Sequence, residues 1–537
     1  MDDSMPTAQI AAARGTVLLT LATAQFLMTL DTSVMNVSIA TVANDVHTTV
    51  TGIQTAITLY TLVMAALMIT GAKVGEIVGR KRAFAIGCVI YAAGSLTTSL
   101  APSLTVLLIG WSLLEGIGAA LIMPAIVALV ASNFDRAGRP RAYGLIAAAA
   151  AIAVAAGPLI GGLLTTYASW RWVFAGEVVI VAVILLLART VTDTPPEHDA
   201  HLDLVGTGLS ALGLGLVVFG VLRAGAWGFV NPKPGAPSWL GLSPVLWLVL
   251  LGGVVLVGFF FWERRRQGRG EAVLVDPGIL RNKLLRGGLT SFFFQYVLQA
   301  GLFFIVPLFL SVALGLSAVA TGLRIFPLSV ALLLTAIGIP RFFPHASPRR
   351  VVRLGFLMLF AGIVALIAAL DVGVGPEVVT WPMILAGVGA GALASQLGSV
   401  TVSAVPDERS AEVGGLQNTV TNLGASIATA LAGAVLISAL TTSFFTGIEN
   451  NPKVPSSVSQ QAQVELAAGV PFVSDDDLQK ALDQAGVQEP AASAIVTENE
   501  QARLDGLRSA LAVLAGLALL ALFISGGIPT RQPTAEP

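Results

Sequence analysis

Long apolar stretches alternate with short polar ones along almost the whole chain. Apolar runs of spanning length fall near residues 15–42, 52–74, 83–101, 106–132, 142–165, 172–189, 204–222, 243–262, 287–313, 322–340, 351–370, 381–404, 411–440 and 506–527. About 20 apolar residues cross the hydrocarbon core of a bilayer as a helix. The pattern therefore predicts an all-α polytopic membrane protein with about fourteen transmembrane helices. An even number of spans puts both termini on one side. The first run is longer than a signal-peptide core and is read as a retained span.

The longest polar interruption is residues 446–503. Within it, "SDDDLQKALDQ" predicts a short helix with Ser474 as N-cap and acids in the first turn. "SAIVTENEQARLDGLRSAL" predicts a helix that runs straight into the last span. The segment reads either as a solvated hairpin or as a lid over an outer vestibule.

Basic residues choose the side. Arg80, Lys81 and Arg82 share one set of alternate loops with Arg136, Arg139 and Arg141. Arg264, Arg265, Arg266, Arg269, Arg281, Lys283 and Arg286 fall in the same set, as do Arg341, Arg349, Arg350 and Arg353. That side is expected to be cytoplasmic, with both termini on it.

Composition agrees with the pattern. Of the 537 residues, 55% are hydrophobic and 11% charged, against about 25% charged in soluble domains. The net charge of −1 gives no reason to expect nucleic acid. The single cysteine, Cys88, excludes an intramolecular disulfide and a thiolate metal cluster. No glycine-rich phosphate loop, His-Glu-x-x-His or Gly-x-Ser-x-Gly motif appears, which argues against ATP drive and against an intramembrane enzyme. His198 and His201 lie in a polar loop and read as solvated rather than metal-binding. No metal or organic cofactor is expected.

Against this background two acids stand out. Asp31, in "FLMTLDTSVMNVSIA", is the only charge between Arg14 and Asp45, and Glu115 is the only charge from Ala83 to Phe134. A charge at the middle of a span costs roughly 2.5–3.5 kcal/mol on insertion scales, and intramembrane acids mark ion or substrate pathways. A protonated acid is neutral and can stay buried; a deprotonated one needs water or a cation. That pair of states suffices to couple proton entry to the exit of another solute. The simpler reading of Asp31 is a helix–helix contact through Asn36 or a neighbouring serine.

Three motifs carry a resemblance. "AKVGEIVGRKRAF", residues 72–84, resembles the loop signature glycine-x-leucine-x-aspartate-x-x-glycine-arginine-lysine of the major facilitator superfamily. Glu76 stands for the aspartate; Gly79, Arg80 and Lys81 match directly; Ala72 and Val74 depart from the pattern. "AGPLIGG", with Gly157, Pro158, Gly161 and Gly162, resembles the antiporter helix signature of drug:proton exchangers. "LDTSVMNVSIA" resembles the first-span signature of the fourteen-span drug:proton antiporters of the QacA and EmrB type, with Asp31 and Asn36 in place. "SWRWVF" and residues 315–333 resemble the same family. In the fourth span, "GWSLLEGIGAALIMP" departs from it: Ser112 stands where the family carries arginine, and Glu115 where it carries glutamine.

The resemblance implies two six-helix halves, residues 1–190 and 271–537, with two inserted helices within 191–270. It implies a monomeric secondary transporter in a bacterial cytoplasmic membrane, driven by the proton gradient, that expels amphipathic or lipophilic and often cationic small molecules. An exporter of an endogenous lipid or metabolite is the alternative, and a transport-inactive receptor a remote one. Asp31, Glu115 and Glu177 are the expected proton-coupling residues; Glu177 replaces a family asparagine and is expected to pair with Arg171. The motif acid Glu76 is expected to pair with basic side chains across the cytoplasmic gate. Gln295, Tyr296, Gln299 and Phe303 form an expected amide and aromatic substrate face, joined by Asn418 and Asn422, Asn36 and Tyr60. Arg324 reads either as a snorkelling cation or as a partner for a buried acid.

Overall fold

The computed structural model describes residues 7–134, 139–193, 201–233, 235–405, 410–466 and 470–530. Arg136 and His198 lie outside the described residues. Six helices open the chain: α1 (Thr7–Asp45), α2 (Val50–Val78), α3 (Arg80–Ser99), α4 (Leu104–Asn133), α5 (Arg139–Tyr167) and α6 (Arg171–Leu187). A hairpin follows, α7 (Leu204–Trp227) and α8 (Pro244–Gly268). Then come α9 (Lys283–Ala313), α10 (Ala318–Phe342), α11 (Pro348–Ala369), α12 (Thr380–Val402) and α13 (Ser410–Asn450). Two short helices, α14 (Ser456–Glu465) and α15 (Asp475–Gln484), precede the last, α16 (Ala491–Ile524).

Among the described residues, 13 helices are long and apolar enough to cross a membrane. The predicted third span, α3, is a 20-residue helix outside that set. Its Tyr91, Ser95, Thr98 and Ser99 are buried against neighbouring helices rather than turned to lipid. Lipid contact falls instead to side chains such as Ile86, Val89 and Leu96 on its other face, all about half exposed.

The packing pairs of the first six helices recur in the last six. α1 packs on α5 as α9 packs on α13; α2 on α4 as α10 on α12; α3 on α4 and α6 as α11 on α12 and α16. Two seams join these groups, α2 against α13 and α5 against α10. In the first seam the buried Gln54 amide donates to the carbonyls of Thr429 and Ala430 at 3.0 and 3.2 Å, and Ser426 Oγ donates to Thr58 O at 2.9 Å. In the second, Thr166 Oγ1 accepts from Val319 N at 3.0 Å.

The antiporter-like motif lies on the second seam. A Cβ on Gly162 would come within 2.7 Å of the α10 backbone, and one on Gly322 of α10 within 2.1 Å of Pro158 O. On a neighbouring face of α5, Gly157 and Gly161 leave room for Ser33 and Val34 of α1. Small residues thus let two helices approach α5 closely, the usual solution where no hydrophobic effect drives association.

The α7–α8 hairpin packs on α2 and α13, so it covers the first seam and leaves the second uncovered. Leu214 and Val218 meet Leu62, Leu423 and Ile427. Asp203 ties the hairpin together: it caps α7 through Gly206 N and accepts from Trp262 Nε1 at 2.8 Å. Leu250, Leu251, Val254 and Phe261 of α8 stay exposed to the membrane side.

The polar segment before α16 is more than a solvated hairpin. Ser474 caps α15 as expected, accepting from Asp477 N. Arg503 of α16 is buried and reaches Asp475 Oδ1 at 2.6 Å and Val473 O at 2.7 Å. Val470 and Phe472 join the main core. Val470 and Pro471 also line a cavity of about 190 Å³ with Gln54, Arg223 and Ala434, at the end of the first seam.

Two outcomes follow. Gly322→Ala is expected to lower the detergent melting temperature through about 1–3 kcal/mol of overpacking, whereas Gly258→Ala, with nothing within 4 Å of its Cβ, is expected to be neutral or mildly stabilising. Equal melting of the two would refute the tight seam. Arg503→Ala is expected to free the segment around α15, read as faster proteolytic cleavage within 470–490 in detergent; unchanged cleavage would mean the Arg503–Asp475 pair does not hold it.

Candidate functional site

Helices α1, α4 and α6 each bring one carboxylate to a single point. Asp31, Glu115 and Glu177 each offer an oxygen within 4.8 Å of the others. Their exposures are 0%, 0% and 1%. Two ionised carboxylates at that distance repel by about 3 kcal/mol at an effective dielectric constant near 20. Among the described residues no Arg, Lys or His is ion-paired to any of the three.

Neutral donors surround them. Trp111 Nε1 lies 3.0 Å from both Asp31 oxygens. Ser95 and Tyr91 hydroxyls donate to Glu177 Oε2 at 2.8 and 3.2 Å. Thr98 Oγ1 lies 3.0 Å from Glu115 Oε1. The Tyr60 ring stacks on Trp111, with centroids 5.0 Å apart and planes at 11°. The α4 stretch Leu108–Glu115 is π-helical, with i→i+5 bonding; such wide turns gather at functional sites. It carries both Trp111 and Glu115. α3 comes close to it at Gly94, where a Cβ would meet Glu115 at 2.6 Å.

The three acids expected from the sequence thus meet, but by different contacts from those expected. Glu177 does not pair with Arg171. Arg171 sits over Trp170 and binds Asp45 Oδ2 at 2.8 Å, which closes the end of α1 on α6. Glu177 is instead held by α3, because one face of α6 turns it inward. Asp31 does not contact Asn36, whose amide donates to Thr32 O of its own helix. Ser112, at the family's arginine position, donates to Ala56 O of α2 and brings no charge.

The other expected residues divide. Tyr60 is fully buried at the triad rather than on an open face. On α9, Gln295 is buried, its Oε1 without a partner, and Phe303 is 8% exposed. Tyr296, one residue round the helix, is exposed and does not share that face. Gln299 is half-buried on α9, as are Asn418 and Asn422 on α13, where the Asn422 amide donates to Asn418 O. Arg324 is half-buried and holds no ion pair among the described residues, so it serves no buried acid. His201 is exposed.

The loop motif also differs from expectation. Glu76 pairs with Lys73 on its own helix at 2.7 Å. Lys81 makes the longer link: its N–H donates to Asp193, and its Nζ to the carbonyls of Arg189 and Val191. Gly79 turns the chain with φ of 100°, a value that only glycine adopts freely. Arg80 opens α3 beside it.

Sequence reasoning missed the donors. Tyr91, Ser95 and Thr98 recur at i, i+4 and i+7, a polar stripe in an otherwise apolar span. Trp111 lies one turn before Glu115. Both signals were present in the pattern.

Comparison with known proteins agrees with this architecture. The model of the Major Facilitator Superfamily matches residues 21–429. Relatives include a probable actinorhodin transporter of Streptomyces coelicolor, 27% identical over 84% of this chain and 76% of its own. A puromycin resistance protein of Streptomyces alboniger is 29% identical over 78% and 81%. Multidrug resistance protein Stp of Mycobacterium tuberculosis is 26% identical over 82% and 79%. A solved bacterial homolog of the human lysosomal transporter Spinster, inward-facing and unoccupied, superposes with TM-score 0.58 at 17% identity, covering 96% of this chain and 98% of that one. A peptide transporter bound to sulfate gives 0.57 at 15%, covering 97% and 99%. These two show the fold alone. A multi-pass transporter rather than an enzyme, the chain belongs to the Major Facilitator Superfamily.

Proposed function

We propose that the protein is a proton-coupled exporter of amphipathic small molecules, of the fourteen-span drug:proton type, working by alternating access. The observation that carries this reading is the triad. Three carboxylates from three helices are enclosed together, with neutral donors and, among the described residues, no paired cation. Such a group is stable only while protonated in part, and water or a cationic solute reaching it would change that occupancy. Rocking of one helix group against the other would expose it to each side in turn. Each proton entering supplies about 2.3 kcal/mol per 100 mV, plus the pH gradient.

Relatives named for actinorhodin transport, puromycin resistance and multidrug resistance favour drug-like cargo. Gln295, Gln299 and Phe303, with Asn418 and Asn422, are the proposed contacts for it; they combine amide and aromatic surface, which suits amphipaths. The basic loops favour a cytoplasmic location for both termini in a bacterial cell.

In proteoliposomes with an imposed pH gradient, the wild-type protein is expected to move ethidium and puromycin. Asp31→Asn is expected to reduce gradient-driven movement to background while counterflow, which needs no proton, shows a folded protein. Gradient-driven transport at the wild-type rate in Asp31→Asn would reject Asp31 as a coupling group.

A further inference from the structure

The hydrogens around the triad can be counted. Thr98 has one hydroxyl hydrogen and two neighbours, Gly94 O at 2.9 Å and Glu115 Oε1 at 3.0 Å. A backbone carbonyl only accepts. With Thr98 donating to Gly94, the contact to Glu115 is a hydrogen bond only when Glu115 carries a proton. Glu115 Oε2 and Glu177 Oε1 are enclosed and have no donor at all. The Tyr60 hydroxyl is fully buried, faces Asp31 and has no other partner. Asp31 alone has a donor spanning both of its oxygens.

The titratable groups facing this point come from every helix packed around it: Asp31 from α1, Tyr60 from α2, Tyr91 from α3, Glu115 from α4 and Glu177 from α6. None is basic. Three ionised carboxylates there would have only five neutral side chains, Trp111, Tyr60, Tyr91, Ser95 and Thr98, to oppose them. One negative charge is within the reach of such donors; a second, on Glu177 beside an ionised Asp31, would keep the Ser95 and Tyr91 hydroxyls but meet the repulsion of a carboxylate within 4.8 Å, and a third, on Glu115, would find no uncommitted donor.

We propose that Asp31, Glu115 and Glu177 form one two-proton site, filled when the helices are closed around it and emptied of both protons in each transport cycle. The protons belong to the group rather than to single residues. Tyr60 is the donor that faces Asp31, placed to follow the charge on it as protons leave. Exchange of two protons for one monovalent cation carries net positive charge inward, so the membrane potential itself drives transport. This rests on the proton-coupled reading above.

Infrared spectroscopy of the purified protein in nanodiscs tests the filled state without any substrate. At neutral pH a protonated-carboxyl C=O stretch is expected, shifted on deuteration and weakened in Glu115→Gln and in Glu177→Gln. Absence of that band in the wild type overturns the two-proton site and leaves proton coupling through one group intact. In wild-type proteoliposomes without a pH gradient, a potassium diffusion potential is expected to drive ethidium movement. Ethidium movement that answers to a pH gradient but not to potential means one proton per cation and overturns the proposal. No movement under either gradient defeats the coupling reading itself, while the infrared band still decides the site. A rise in melting temperature with Ca²⁺ or Mn²⁺ that is lost in Glu115→Gln would assign the triad to a metal ion and overturn the proposal as well.

Discussion

The arrangement turns on the expense of an acid at lipid depth. A lone carboxylate in a span finds neither water nor, here, a cation. The protein gathers Asp31, Glu115 and Glu177 at one point and surrounds them with hydroxyl and indole donors. That demand propagates outward. α3 must spend a face on Tyr91, Ser95 and Thr98, which makes it the least apolar of the long helices. α4 must widen into a π-helical stretch where it carries Trp111 and Glu115. Gly94 must stay without a side chain so that α3 can reach Glu115. Each feature looks like a local defect in a membrane helix, and each has the same cause.

Outside the triad, packing is set by small residues. Lipid chains offer no hydrophobic drive for helices to meet. Gly157, Gly161, Gly162 and Gly322 let α1, α5 and α10 touch backbone to backbone. The α2–α13 seam depends more on buried polar bonds from Gln54 and Ser426. The two seams are therefore different in kind. The one bound by hydrogen bonds is also the one that the α7–α8 hairpin covers.

Much of the fold was legible because span length is a one-dimensional signal. The fourteen apolar runs, the Ser474 cap and the continuity of α16 all come from local pattern. Asp31 and Glu115 were legible as isolated charges. Their meeting with Glu177 was not, because it depends on helix phase across residues 31 to 177. The expected Glu177–Arg171 pair failed for a related reason. Residues six apart on a helix point to different sides, and Arg171 found Asp45 across a loop instead. Tyr296 left the expected face by the same geometry, one residue being about 100° of rotation. The α3 donor stripe had a helical period in plain view, but hydroxyls in a span read as ordinary until an acid is known to face them.

The repeat in packing is not a repeat in chemistry. α1–α6 and their counterparts α9–α13 with α16 share helix pairings, yet among the described residues the cluster of enclosed acids lies in the first group. In the second group α9 offers amides, Gln295 and Gln299, which do not titrate. On the proposed reading, proton occupancy is registered in one group and cargo is met chiefly by the other. Coupling then has to pass through the seams rather than through a shared ligand. α5 is the element best placed for it, since one face packs on α1 at Ser33 and Val34, next to Asp31, and a neighbouring one on α10. A small shift of α1 as the triad gains or loses charge has no slack to disappear into, because the glycines have already removed it. The close contacts that hold the two groups together are thus the same contacts that would transmit the state of the acids.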